Sequence, residues 1–245
     1  MSLARVFGAA LLLGLAACNN SSTTSTTGTT TTTASVAAPA GTNWLSVNVA
    51  TSEGGFRVGN PNAKVKLLEF ASLTCPHCKD FHAEAAETIR NKYVASGNVS
   101  YEYRNFVLNG PDYAASLLAR CQGPEAFFGL LNAFYSDQAV WTKPFMETTP
   151  ADQARIQALP QEKQVAAMAE AGKLDSYVRT RGIPKAKFDA CLADKKAMDA
   201  IDALRKQATE TYKLTGTPGF IINGQTQEGV YTWAELEPKL QAALR

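Results

Sequence analysis

Apolar and polar positions divide the chain into stretches of different period. Residues 6–17 are an apolar run of about a dozen residues, too short to span a bilayer. Residues 19–43 are rich in Thr and Ser without an apolar period. They bury too little to offset their ordering entropy and are expected to form a disordered tether. Folded patterning starts near Trp44, with a first strand expected around residues 44–49 and turn signals at Gly54-Gly55 and Gly59-Asn60-Pro61-Asn62. Residues 65–70 read as a buried strand. From Cys75 to about Ala95 the apolar residues Phe81, Ala85, Ile89 and Tyr93 recur at helical spacing. Gly97-Asn98 ends that helix. Residues 99–103 alternate and are rich in β-formers, predicting a second core strand. Strand, helix and strand in this order favour a right-handed crossover between parallel strands.

From Pro111 to about Lys213 strand signals vanish, and Ala, Leu, Lys, Glu and Gln dominate. Helices are expected at 112–121, 124–138, 150–170, 172–181, 185–192 and 194–213, with prolines 111, 124, 150, 160 and 184 near their starts or boundaries. Gly216-Thr217-Pro218-Gly219 breaks the pattern. Residues 220–222 form a short strand, Asn223-Gly224 suits a type I′ turn, and residues 225–230 can return as its partner. Thr232 and Glu235 form a capping box for a last helix. The economical topology is one α/β domain, residues 44–110 plus 214–245, interrupted by a helical insertion at 111–213.

A formal net charge of +2 over 245 residues gives no support for nucleic-acid binding or a polybasic membrane patch. The five cysteines divide into Cys18, the pair Cys75 and Cys78, and the pair Cys121 and Cys191. One lipid site plus two pairs accounts for all of them and suits an oxidising compartment. The apolar leader ends Leu15-Ala16-Ala17-Cys18, which resembles the lipobox of bacterial lipoproteins. Residues 1–18 would then be a signal peptide, cut to leave Cys18 as a lipidated membrane anchor. An ordinary signal peptide cleaved nearby is the alternative. Asn19 is not the aspartate that retains such proteins at the inner membrane, which favours the outer membrane.

Cys75-Pro76-His77-Cys78 follows the buried strand and opens the amphipathic helix. A cysteine at a helix N-terminus meets unpaired backbone N–H groups and the positive end of the helix dipole, both of which stabilise a thiolate. Pro76 suits the first helical position, where an N–H is dispensable. His77 can offer a hydrogen bond or positive charge to the sulfur. The spacing also permits a structural disulfide, or a zinc site with His82 as third ligand, although no second C-x-x-C exists. His82 is otherwise expected to face solvent or pack locally. Glu69 is an acid in an apolar strand: either an edge position or a buried carboxylate whose charge burial disfavours. The aromatic residues Phe106, Phe127, Phe128, Phe134, Tyr135 and Trp141 are expected in the core rather than in a substrate groove, although those on the inner face of the helical block could line an apolar patch beside Cys75.

Over residues 56–245 these features, in this order, resemble the DsbA-like thiol–disulfide oxidoreductases of the thioredoxin superfamily. The matched features are Glu69 six residues before Cys75, the Cys-Pro-His-Cys itself, Thr217-Pro218 before a C-terminal hairpin, and the helical block between the halves. The resemblance implies a thioredoxin fold with an inserted all-helical domain. It implies that Cys75 is the nucleophile, that Cys78 resolves the mixed disulfide, and that Glu69 helps move the Cys78 proton. It implies a cis peptide bond before Pro218, in a loop that presents the Thr217 backbone to a substrate strand. It favours a structural Cys121–Cys191 disulfide over two buried free thiols. The redox disulfide then serves in place of a bound cofactor or metal. The implied partners are folding secreted proteins with cysteines and a quinone-coupled membrane oxidase. Thr217 stands where valine is common in the strongest oxidases. An isomerase or reductase kept reduced by a membrane thiol donor is therefore the second reading. A non-catalytic metal-binding or chaperone-like lipoprotein is the third.

Overall fold

The computed structural model describes residues 34–245. The leader, Cys18 and the first part of the tether lie outside the described residues. At the sheet's centre, β3 (Val65–Ala71) pairs in parallel with β4 (Val99–Asn105) on one side and antiparallel with β5 (Gly219–Ile222) on the other. Valine, leucine and aromatic side chains fit the pleated surface of these buried strands. Two short strands, β1 (Asn48–Ala50) and β2 (Phe56–Gly59), extend the β4 edge, and β6 (Gln225–Thr226) extends β5. The sheet order is β1-β2-β4-β3-β5-β6. Asn223 and Gly224 both have positive φ, 49° and 83°, as a type I′ hairpin requires. β6 is only two residues long, so the return strand expected over residues 225–230 is mostly loop.

Helix α1 (Pro76–Thr88) crosses from β3 to β4 and buries Cys78, Phe81, His82 and Ala85; its last turns, Ile89–Val94, widen to π geometry. Between β4 and β5 run α2 (Gly110–Arg120), α3 (Pro124–Ser136), α4 (Gln138–Met146), α5 (Pro150–Gln157), α6 (Gln161–Ala171), α7 (Leu174–Arg179), α8 (Lys185–Leu192) and α9 (Lys195–Lys206). The C-terminal α10 (Trp233–Leu244) carries the Thr232–Glu235 capping box. This is the α/β arrangement with an inserted helical block that the resemblance implied. The insertion shares the sheet's core: Phe127 of α3 stacks on Phe56 of β2 with ring centroids 4.1 Å apart.

Three differences from the sequence reading have physical causes. The single helix expected over 150–170 is two, because Pro160 cannot donate to a continuing helix and restricts the residue before it. Helix α4 was not expected: its interior holds Pro144, and its buried residues are only Gln138 and Trp141. The tether expected to run to Asn43 is already attached to the domain at Ala34. Asn98 Nδ2 donates to Ala34 O at 2.7 Å, Val36 N donates to Ser96 O at 2.7 Å, and Trp44 Nε1 donates to Val36 O at 2.8 Å. Gly97 leaves room for this docking: its φ is +74°, and a Cβ there would collide with the Trp44 indole and Val36 O.

Candidate active site

Cys75 is the N-cap of α1, with extended φ and ψ of −76° and 122°, and Pro76 occupies the first helical turn. The Cys75 Sγ lies 3.4 Å from the Cys78 backbone N–H, which donates to it, and 3.4 Å from Thr217 O. Thr217 is joined to Pro218 by a cis peptide bond, and this loop packs over the sulfur. Cys75 and Cys78 are free thiols, 5% and 0% exposed.

The two sulfurs are electrostatically unlike. A hydrogen bond from the Cys78 thiol does most to bring the Cys75 thiol down from its ordinary 9 to about 5. Burial opposes this, and the Thr217 side chain with the Cys78 and His77 backbone N–H groups adds to it. Thr217 also acts in the opposite sense, since its carbonyl accepts from the thiol form. His77 contributes its backbone N–H to the site, while its imidazole is exposed. Burial pushes Cys78 well above the ordinary thiol range. The hydrogen bond to Cys75 and the charges of Cys75 and Glu69 push the same way.

Glu69 points from β3 into the space behind Cys78 and is fully buried. Its Oε2 accepts from the Tyr101 hydroxyl at 2.6 Å, and its Oε1 lies 3.3 Å from His82 Nε2. The edge position considered for Glu69 is therefore not the one it holds. Nor does His82 face solvent: the residue is 8% exposed and its ring stacks on Tyr135 at 4.1 Å. Its position one turn after Cys78 and beside the core residue Phe81 was the available signal. His82 Nε2 faces the Glu69 carboxylate. Among the described residues no group of three His, Cys, Asp or Glu side chains converges as metal ligands would.

The segment between β3 and α1 is anchored from the insertion. Gln138 Nε2 donates to Leu73 O at 2.8 Å and to Cys75 O at 3.0 Å, and the Tyr135 hydroxyl donates to Ser72 O at 3.2 Å. Asp112, fully buried at the start of α2, accepts from the Leu73 and Leu108 N–H groups at 2.9 Å each. Burial raises its carboxyl to about 6 against those hydrogen bonds. Gln138, Asp112 and Tyr135 are positioning residues that sequence spacing did not reveal, since their partners in the segment before α1 lie 39 to 65 positions away.

The remaining candidate cysteines lie elsewhere. Cys121, after α2, and Cys191, in α8, are joined as a disulfide with Cα atoms 5.6 Å apart. A separate cleft of about 450 Å³, lined among others by Glu53, Arg57, Lys66, Glu102 and Arg104, contains none of the residues around the dithiol.

Comparison with known proteins places this geometry among relatives. A family model described as Thioredoxin matches residues 51–242. A solved structure of a protein-disulfide isomerase from Novosphingobium aromaticivorans is 32% identical. The match covers 78% of this chain and 97% of that one, with a TM-score of 0.74. Alpha-DsbA1 of Wolbachia pipientis shares the fold at 23% identity, over 77% of this chain and 89% of its own, with a TM-score of 0.59. A curated protein of Rickettsia bellii with the provisional name protein-disulfide oxidoreductase is 26% identical over 185 residues. These are 75% of this chain and 62% of the relative, so the chain spans about three-fifths of that protein's length.

Proposed function

The chain belongs to the thioredoxin family, and from that premise we propose that it is a thiol–disulfide oxidoreductase of the cell envelope that donates its Cys75–Cys78 disulfide to folding proteins. The observation that carries the proposal is the asymmetry of the two thiols. With a midpoint of about 5, Cys75 is roughly 99% thiolate at pH 7, against about 1% for a thiol titrating at 9. Cys78, buried and pushed upward, stays protonated.

In the oxidised pair, a substrate thiolate attacks the Cys75 sulfur. The Cys75–Cys78 bond breaks, and Cys78 leaves and takes up a proton. A second substrate thiolate then attacks the substrate sulfur of the mixed disulfide. The substrate disulfide forms and Cys75 departs as a thiolate. A low-pKa sulfur is a good leaving group, so stabilising it drives this second step. The pair ends two electrons reduced, and a quinone-coupled membrane oxidase would restore it. The Thr217–Pro218 backbone beside Cys75 offers an extended substrate segment a strand to pair with.

Lipidation at Cys18 and the polar stretch after it would hold the domain at a membrane, facing the periplasm, with the outer membrane favoured by Asn19. Among the described residues no helix is long and apolar enough to cross a membrane.

A second reading has its own support. Thr217 precedes the cis proline, and the 32% identical structure is that of a protein-disulfide isomerase. In that reading the pair is kept reduced by a membrane thiol donor and shuffles wrong disulfides. Oxidation of a reduced peptide and reshuffling of a scrambled protein separate the two. Cys75→Ser should abolish whichever activity is present, and full activity in that variant would remove both readings.

A further inference from the structure

Three of the five buried side-chain nitrogen and oxygen atoms that lack a hydrogen bond among the described residues belong to one pair: Glu69 Oε1, His82 Nδ1 and His82 Nε2. Buried polar atoms are normally satisfied, so this concentration behind the dithiol needs a reason. The imidazole is not loose. Tyr135 stacks on one face, while Tyr103 and Phe81 meet it edge-on at 6.1 and 5.9 Å. Its Nε2 is held 3.3 Å from Glu69 Oε1, on the far side of the carboxylate from the Tyr101 hydroxyl. Beside it, a gap of about 10 Å³ opens between α1 and α3. Its lining includes Phe81, His82, Tyr101 and Phe128, with Arg90 and the exposed Asn132 toward the surface. That is room for about one water, with His82 within its reach.

We propose that His82 is the positioning residue that shares a proton with Glu69 and exchanges it with solvent through the gap between α1 and α3, supplying and removing the proton of Cys78. This rests on the oxidoreductase reading. When the Cys75–Cys78 bond breaks, Cys78 leaves with the electron pair. The proton shared by Glu69 and His82 moves to its sulfur, leaving a carboxylate and a neutral imidazole. The imidazole regains a proton from water at the gap. On reoxidation the same steps run backwards: Cys78 gives its proton to the pair and its sulfur is free to attack the mixed disulfide at Cys75. The titratable and charged groups around His82 are Cys78 on its own helix, Arg90 at the gap, Glu69 on β3, Tyr101 and Tyr103 on β4, and Tyr135 on α3.

The test compares the full chain with H82Q, which keeps a polar side chain of similar size but carries no titrating proton. Reduction of the Cys75–Cys78 disulfide by reduced glutathione is followed from pH 5 to 8 by thiolate absorbance. The proposal expects H82Q to react about a hundred-fold more slowly with a flattened pH profile, the lower end of what a lost acid–base group costs. The Cys75 titration midpoint should stay near 5. A folded H82Q with the parent rate and pH profile overturns the proposal. If H82Q does not fold, H82N takes its place in the same assay, and a folded H82N with the parent rate and pH profile likewise overturns the proposal. If the parent chain itself does not exchange with glutathione while its two thiols are intact, the oxidoreductase reading fails and takes the relay with it. Failure of H82Q alone to differ leaves that reading standing.

Discussion

Replacing Cys78 by alanine removes the group that contributes most to the low midpoint of Cys75, the hydrogen bond from the Cys78 thiol. A hydrogen bond to a charged partner contributes about 1.5–3 kcal/mol, or roughly one to two pH units of titration midpoint. Cys75 should therefore move from about 5 to roughly 6–7 in C78A. At pH 6 its thiolate fraction would fall from about nine-tenths to between a half and a tenth. Cys78→Ser keeps a hydroxyl donor and should stay much closer to the parent. The assay is thiolate absorbance, or the rate of alkylation by iodoacetamide, as a function of pH on the reduced protein, with circular dichroism to confirm the fold. A Cys75 midpoint still near 5 in C78A would refute the reasoning. The backbone N–H groups at the start of α1 would then carry the effect alone, and the asymmetry of the pair would not depend on its second member.

The same midpoint makes the reduced form's stability depend on pH. Cys75 is held below its unfolded value of about 9, so its contribution is full above pH 9 and is lost as pH falls through about 5. At pH 7 it amounts to about 2.7 kcal/mol, and urea denaturation should show reduced-minus-oxidised stability rising by about 1.4 kcal/mol per pH unit between 5 and 9. Parallel stability curves for the two redox forms would contradict it. Replacing both Cys121 and Cys191 by serine opens a loop of 70 residues and should cost about 4 kcal/mol in the chain-entropy account, seen as a lower urea midpoint. Glutathione reduction of Cys75–Cys78 should be unchanged in that variant, because the second disulfide lies outside the site.

The parts of this site legible in the sequence are those written in local chemistry. Proline directly after Cys75 and an amphipathic period beyond it mark a helix start, and Cys75 is indeed the cap. The β-formers of 65–70 and 99–103 sit in the paired strands β3 and β4. Asn223-Gly224 makes its turn because both residues tolerate positive φ. What was not legible depends on partners distant in the chain. Glu69 reads equally well as an edge or a buried acid until Tyr101 and His82 are seen on either side of it. Gln138 gives no local sign that it fastens the Leu73 and Cys75 carbonyls. Strand β2 is only four residues between turns, too short for its alternation to register. The attachment of residues 34–36 follows from donors on Trp44 and Asn98 and from the Ser96 carbonyl, which accepts from Ser35 and Val36, in a stretch whose composition gives no such hint.

The central claim is that stabilising the Cys75 thiolate makes the pair a donor of disulfides. At pH 7 the stabilisation of about 2.7 kcal/mol corresponds to raising the potential by about 60 mV relative to a pair whose Cys75 titrates normally. The most direct measurement is the reduction potential of Cys75–Cys78 equilibrated with glutathione at pH 7, with Cys121 and Cys191 followed separately by mass. A potential less negative than about −200 mV is the predicted result. A value near −270 mV, in the range of thioredoxin, would contradict disulfide donation and shift the assignment to the reduced, isomerase-like reading.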